Sequence, residues 1–172
     1  MDTDSEREFL DFVSARSHAL FRTAYALTGH QQAAEDLLQT ALAKTASRWR
    51  HIRGGAEPYV KRVMYHEQVS WWRRKRLRET PMEVIPEPPG AADGTDGPLL
   101  RLTLQRALLQ LAPRQRAVLV LRYLEDQSEQ QVAEIMGCTT STVASQSSRA
   151  LARLREIAPE LRQLLTLEEA TA

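Results

Sequence analysis

The sequence predicts an all-α protein of two small helical domains joined by an acidic, proline- and glycine-rich linker, the second domain containing a helix-turn-helix. Three observations carry this. Apolar residues recur at helical spacing along most of the chain. The stretch Glu79 to Pro98, ETPMEVIPEPPGAADGTDGP, interrupts them with acids and no base. From Gln110 to Glu156 the apolar, turn and polar residues have the spacing of two crossed helices. With 172 residues, 42% of them hydrophobic, both parts can bury a core.

The first helix is expected from about Glu6 to Leu27, with Phe9, Val13, Leu20, Ala24 and Leu27 on one face and Gly29 ending it. A second runs from Gln31 to Arg48. Ala34, Leu37, Leu38, Ala41, Leu42 and Thr45 form its inward stripe, leaving Asp36, Gln39, Thr40 and Ala43 free to meet a partner. After the loop WRHIRGGAE, Pro58 suits the first turn of a third helix that reaches about Arg78. Trp71 and Trp72 diverge by about 100° on that helix, so one is expected in the core and the other outside. The second domain is helical from Leu99 onward. Within it Ser128 and Gln131 form a capping box, and Thr139 or Thr140 caps the following helix. Ala133, Gly137 and Val143 fill the positions a helix-turn-helix restricts: a small residue at the crossing, a glycine in the turn and a β-branched residue packing inward. Ser141, Thr142, Ser145, Gln146 and Arg149 then line the exposed face, with hydrogen-bonding groups suited to base edges and phosphates.

The net charge of +1 conceals a local imbalance. From Lys44 to Arg78 eleven bases oppose only Glu57 and Glu67, while the acids lie elsewhere. Aromatic rings interleave with this charge in YVKRVMYHEQVSWWRRKRLRE, so bases can stack while Arg73, Arg74, Lys75, Arg76 and Arg78 neutralise phosphates. The single cysteine, Cys138, excludes an internal disulfide and a cysteine-rich zinc site. No apolar run approaches the roughly 20 residues of a membrane span, and MDTDSEREF is acidic where a secretory signal is basic, so a cytoplasmic location is expected. Catalysis is not expected. Its only candidate groups are Glu35 and Asp36 with His30 or His66, and adjacent carboxylates on a helix diverge by about 100°. There is no Gly-rich phosphate loop, metal-ligand spacing or nucleophile–base pair, and no cofactor or metal is expected.

Glu35-Asp36-Leu37-Leu38-Gln39, the Tyr59-to-Arg78 segment ending in Ser70-Trp71-Trp72-Arg73-Arg74, and Leu111-Ala112-Pro113-Arg114-Gln115-Arg116 before the helix-turn-helix occur here in one order around an acidic linker. In these features the chain resembles the extracytoplasmic-function sigma factors, the smallest class of the sigma-70 family of bacterial RNA polymerase initiation subunits. The resemblance implies a domain over residues 1–78 that binds core polymerase and melts the minus-ten element. It further implies a linker over 79–98 threading towards the polymerase active centre, a domain over 99–158 reading the minus-thirty-five element, and a tail over 159–172. Asp36, Gln39 and Thr40 match positions that contact core polymerase. Arg48, Trp49, Arg50, His51, Arg53, Lys61, Arg62, His66, Ser70, Arg73 and Arg74 match the minus-ten surface, the loop from Arg48 to Glu57 being the one that captures an extruded base. Arg114 joins Ser141, Thr142, Ser145, Gln146 and Arg149 at the minus-thirty-five element. The implied partners are core RNA polymerase, through its β′ clamp and β subunit, and promoter DNA, with an anti-sigma factor as a further candidate and no membrane. His66 and Glu67 stand where many relatives carry Asn and Thr, Ala144 where a base is common, and Thr40 where an acid is frequent. A conventional helix-turn-helix repressor or activator is the alternative, which leaves the second-helix face and the linker without a role.

Overall fold

A computed structural model describes residues 2–78 and 97–161, and among them the secondary structure is helical throughout. The linker read at Glu79 to Pro98 lies outside the described residues except for its last two, as does the tail beyond Leu161. Helix α1 spans Thr3–Thr28, α2 Gln31–Ala46 and α3 Ala56–Arg78; after the linker come α4 Gly97–Leu109, α5 Pro113–Leu119, α6 Glu129–Met136 and α7 Thr140–Ile157.

Local chemistry sets most of these ends. Asp2 caps α1 by accepting from the Ser5 amide, which starts the helix earlier than apolar spacing suggested. Gly29 closes it at φ +76, and a Cβ there would overlap the Leu109 side chain, so the position needs glycine for both backbone and space. Helix α2 stops at Ala46 rather than Arg48, because the chain turns into a short 3-10 segment, Trp49–His51, that seats Trp49 against α1. Helix α4 begins at Gly97, two residues before the expected boundary, with Pro98 in a first turn that asks no amide of it. The Ser128–Gln131 box starts α6, Gly137 ends it at φ +65, and Thr139 caps α7. Beyond α5 the chain widens into a π-type turn, Val120–Leu124, closed by the Glu125 amide on the Val120 carbonyl. Composition gives no sign of that turn.

Helices α1, α2 and α3 pack as one group and α5, α6 and α7 as another, yet their apolar core is continuous. Leu20, Ala24, Leu27, Val60, Met64 and Tyr65 from before the linker share one cluster with Val118, Leu121, Val132, Ile135, Met136 and Val143 from after it. A second cluster joins Leu108 and Leu111 to Leu154 and Leu161. Arg116 lies between them, 2% exposed. Its guanidinium donates to the carbonyls of Leu108, Leu109 and Leu111, where α4 ends, and at 2.7 Å to that of Leu27, where α1 ends. Helix C-termini carry unmet carbonyls and negative dipole ends, so one buried cation serves both. Burial nonetheless disfavours the charge and lowers its pKa to about 10.

Candidate nucleic-acid interface

Helix α3 presents Arg62, His66, Ser70, Arg73 and Arg74 along one side, since steps of three and four residues return to the same face. All but the half-buried Ser70 are exposed. His66 has its pKa lowered, first by partial burial and then by the Arg62 charge, against the opposing pull of Glu67. The fold therefore favours its neutral form. Trp71 points outward, 47% exposed, with the Lys75 ammonium 5.0 Å from its ring centre. Trp72 turns inward, where the Arg116 guanidinium lies 5.9 Å from its ring and its indole N–H has no protein partner. The pair thus divides into one inner and one outer ring.

Lys61 does not join that face. It is 6% exposed, with Nζ 3.0 Å from Glu57 and 2.6 Å from Glu125 of the other helical group. Burial works against its charge, but hydrogen bonds to Glu125 and Glu57 outweigh the loss and its pKa is raised.

The loop before α3 is braced by α1. Trp49 packs on Phe9 and Phe12 at 5.2 and 5.5 Å between ring centres, and its indole N–H donates to Glu8 at 3.5 Å. Arg50 pairs with Asp2 and donates to Ser5. Gly54 and Gly55, at φ +86 and +101, then turn the chain where side chains other than glycine's are strained. Glu8, Trp49, Ile52, Gly55 and Ala56 line a shallow cavity of about 210 Å³ beside this turn. Arg48, His51 and Arg53 of the same loop are exposed. The contribution of Asp2, Ser5, Glu8, Phe9 and Phe12 was not foreseen, because nothing local pairs α1 with a loop some forty residues away.

Helix α7 leaves Ser141, Ser145 and Arg149 exposed and Thr142 and Gln146 partly so, while Val143 and Ala150 pack inward. Thr142 is partly engaged, its amide and hydroxyl meeting the Thr139 hydroxyl. Arg114, exposed at the start of α5, hydrogen-bonds Tyr65 of α3, which raises its pKa. On α2, Asp36, Gln39 and Thr40 are all exposed, and Asp36 accepts from Gln32 one turn earlier. The described residues hold no cluster of His, Cys, Asp and Glu able to bind a metal, and none of their helices is long and apolar enough to cross a membrane.

A helical group with a cationic, aromatic-flanked face, followed by a helix-turn-helix with an open polar helix, defines a DNA-binding class of protein. Residues 12–78 match the family described as Sigma-70 region 2, and residues 101–154 that described as Sigma-70, region 4. The RNA polymerase sigma-E factor of Streptomyces coelicolor is 44% identical over 151 residues, covering 87% of this chain and 85% of the relative. The ECF RNA polymerase sigma factor SigE of Mycolicibacterium smegmatis is 30% identical, covering 82% of this chain and 58% of the relative. The sigma factor RpoE of Bartonella quintana, solved in complex with the anti-sigma factor NepR, shares the fold at a TM-score of 0.73, with 24% identity and coverage of 89% of this chain and 98% of that one. The chain belongs to the extracytoplasmic-function group of the sigma-70 family.

Proposed function

We propose that this chain binds core RNA polymerase in the cytoplasm and directs it to promoters, with residues 1–78 holding the melted minus-ten element and residues 99–158 reading the minus-thirty-five duplex. The observation that carries the reading is that one chain offers two dissimilar DNA faces. The row from Arg62 to Arg74, together with the cavity at Trp49, suits an unpaired strand: cations track phosphates, and the cavity receives a base. Unstacking that base costs a few kcal/mol, which contacts in the cavity must offset. The exposed row on α7 suits the major groove of a duplex. The linker over 79–98, without a base, fits a channel built for a polyanion. On the similarity to the Bartonella protein we assign an anti-sigma factor as the class of regulator. No chemistry on a substrate is assigned to the chain; its contribution is binding and strand capture.

Core binding is assigned to the exposed face of Asp36, Gln39 and Thr40. Asp36→Arg should weaken assembly with core polymerase while changing stability by only about 0.5 kcal/mol, as exposed substitutions usually do. Competition against the wild-type chain for core polymerase measures this, and unchanged affinity removes the assignment.

A further inference from the structure

We propose that Glu8, on the first helix, sets which base the capturing loop accepts: its carboxylate favours a base that carries an amine on its Watson–Crick edge and rejects thymine. The inference rests on the base-capture reading of the cavity at Trp49 and adds to it a residue from outside the loop. One side of α1 meets that loop through Asp2, Ser5, Glu8, Phe9, Phe12 and Arg16, since steps of three and four residues return to the same face. Of the five residues that line the cavity, Ile52, Gly55 and Ala56 carry no polar side-chain atom, and the indole N–H of Trp49 is directed at Glu8 Oε2 at 3.5 Å. Among the lining side chains, the Glu8 carboxylate is therefore the group with hydrogen-bonding capacity to spare, because a carboxylate offers about four acceptor sites and the indole occupies one. Cations that meet the same side of α1 are engaged by other acids, Arg50 by Asp2 and Arg16 by Glu57.

A negative charge repels phosphates, so what Glu8 can bind on a nucleic-acid strand is a base edge. An acceptor-only group tells those edges apart. Cytosine and adenine each present an amine, and guanine presents an amine beside a ring N–H. Thymine presents a ring N–H flanked by carbonyl oxygens, which would face the carboxylate acceptor to acceptor. A base taken out of its stack is read on this edge, and a carboxylate accepting from the cytosine amine is one of the standard base contacts. Arg48, His51 and Arg53, exposed on the same loop, are left to take the flanking phosphates.

The test uses holoenzyme assembled from the full chain and core polymerase, with single strands carrying the non-template sequence of a promoter that the holoenzyme selects. Bases are removed one at a time, as abasic sites, and binding is compared between wild type and Ala56→Leu, which fills the cavity. At the captured position, loss of the base weakens binding to wild type and leaves binding to the filled variant unchanged. The four bases are then compared at that position by competition. Wild type should bind the thymine strand roughly tenfold more weakly than the strands with cytosine, adenine or guanine. Glu8→Gln keeps the size of an exposed side chain while adding a donor for the thymine carbonyls, and should shrink the gap to within about threefold. A merely structural Glu8 would move all four affinities together. That result, a wild type without the thymine penalty, or a penalty that Glu8→Gln leaves intact overturns the inference while the capture reading stands. Should Ala56→Leu lose helicity, the four-base comparison run at every position decides: a thymine penalty relieved by Glu8→Gln at one position upholds the inference, and relief at none overturns it. If a folded Ala56→Leu protein changes the response at no position, the capture reading itself falls, and the base preference assigned to Glu8 falls with it.

Discussion

Arg116 shows how a charged side chain in a family motif can be wholly structural. Four backbone carbonyls from the ends of two helices converge on it, and among the described residues it is the largest side chain that is essentially fully buried. Arg116→Met keeps much of the length and removes the donors. Leaving even one buried acceptor unmet costs about 1–3 kcal/mol, so the urea midpoint should fall by at least that equivalent; an unchanged midpoint would contradict the role. Its burial was not legible in the sequence, because charged residues are almost never fully buried and nothing near Arg116 names a partner at Leu27. His66 is a residue of the opposite kind, placed on the exposed face by simple spacing. With its pKa lowered, the fold disfavours the imidazolium, so His66 contributes more stability above pH 6.5 than below it. Acidification adds a cation to the exposed α3 row proposed to hold the strand. Binding of a minus-ten single strand should therefore strengthen between pH 7.5 and 5.5 more in the wild type than in His66→Asn, and parallel profiles would remove the titration.

At the scale of elements, local signals carried most of the architecture. The Ser128–Gln131 box, the Thr139 cap and the left-handed Gly29 and Gly137 lie where turn chemistry puts them, because each is settled within four residues. The early start of α1 was legible in its Asp2 cap but is not marked by apolar spacing, while the end of α2 and the wide turn at Val120–Leu124 were not legible, since distant packing or a single extra residue decides them. Gly137→Ala should cost about 1–2 kcal/mol from φ alone, as nothing lies near the added methyl. Gly29→Ala should cost more, because Leu109 must also move. Thermal unfolding of the two variants checks the order. On α7, Arg149→Ala should lose roughly 1–3 kcal/mol of affinity for the upstream duplex, concentrated at one base position if the contact is to a base edge. Binding to a set of single-base variants reads this out, and wild-type preferences at wild-type affinity would remove α7 as the reader.

For the molecule as a whole, the sequence was sufficient to separate two helical groups and an acidic connection, and the family motifs supplied their assignments. It did not reveal the shared core or the Lys61–Glu125 seam, since pairing across sixty residues leaves no mark in local periodicity. Residues that look alike as free cations consequently part company: Arg62 stays exposed and Lys61 is enclosed. Under the proposed function the chain acts only in company with polymerase, both proposed DNA faces serving one promoter. The most direct measurement is run-off transcription by purified core polymerase with this chain added, on promoter fragments selected by the assembled holoenzyme. A discrete transcript that requires the chain, with Asp36→Arg reducing it by lowering holoenzyme formation and Arg149→Ala by weakening promoter recognition, is the predicted result. Sequence-selective DNA binding by the chain alone, with no association with core polymerase and no transcript, would contradict it and leave a conventional helix-turn-helix regulator.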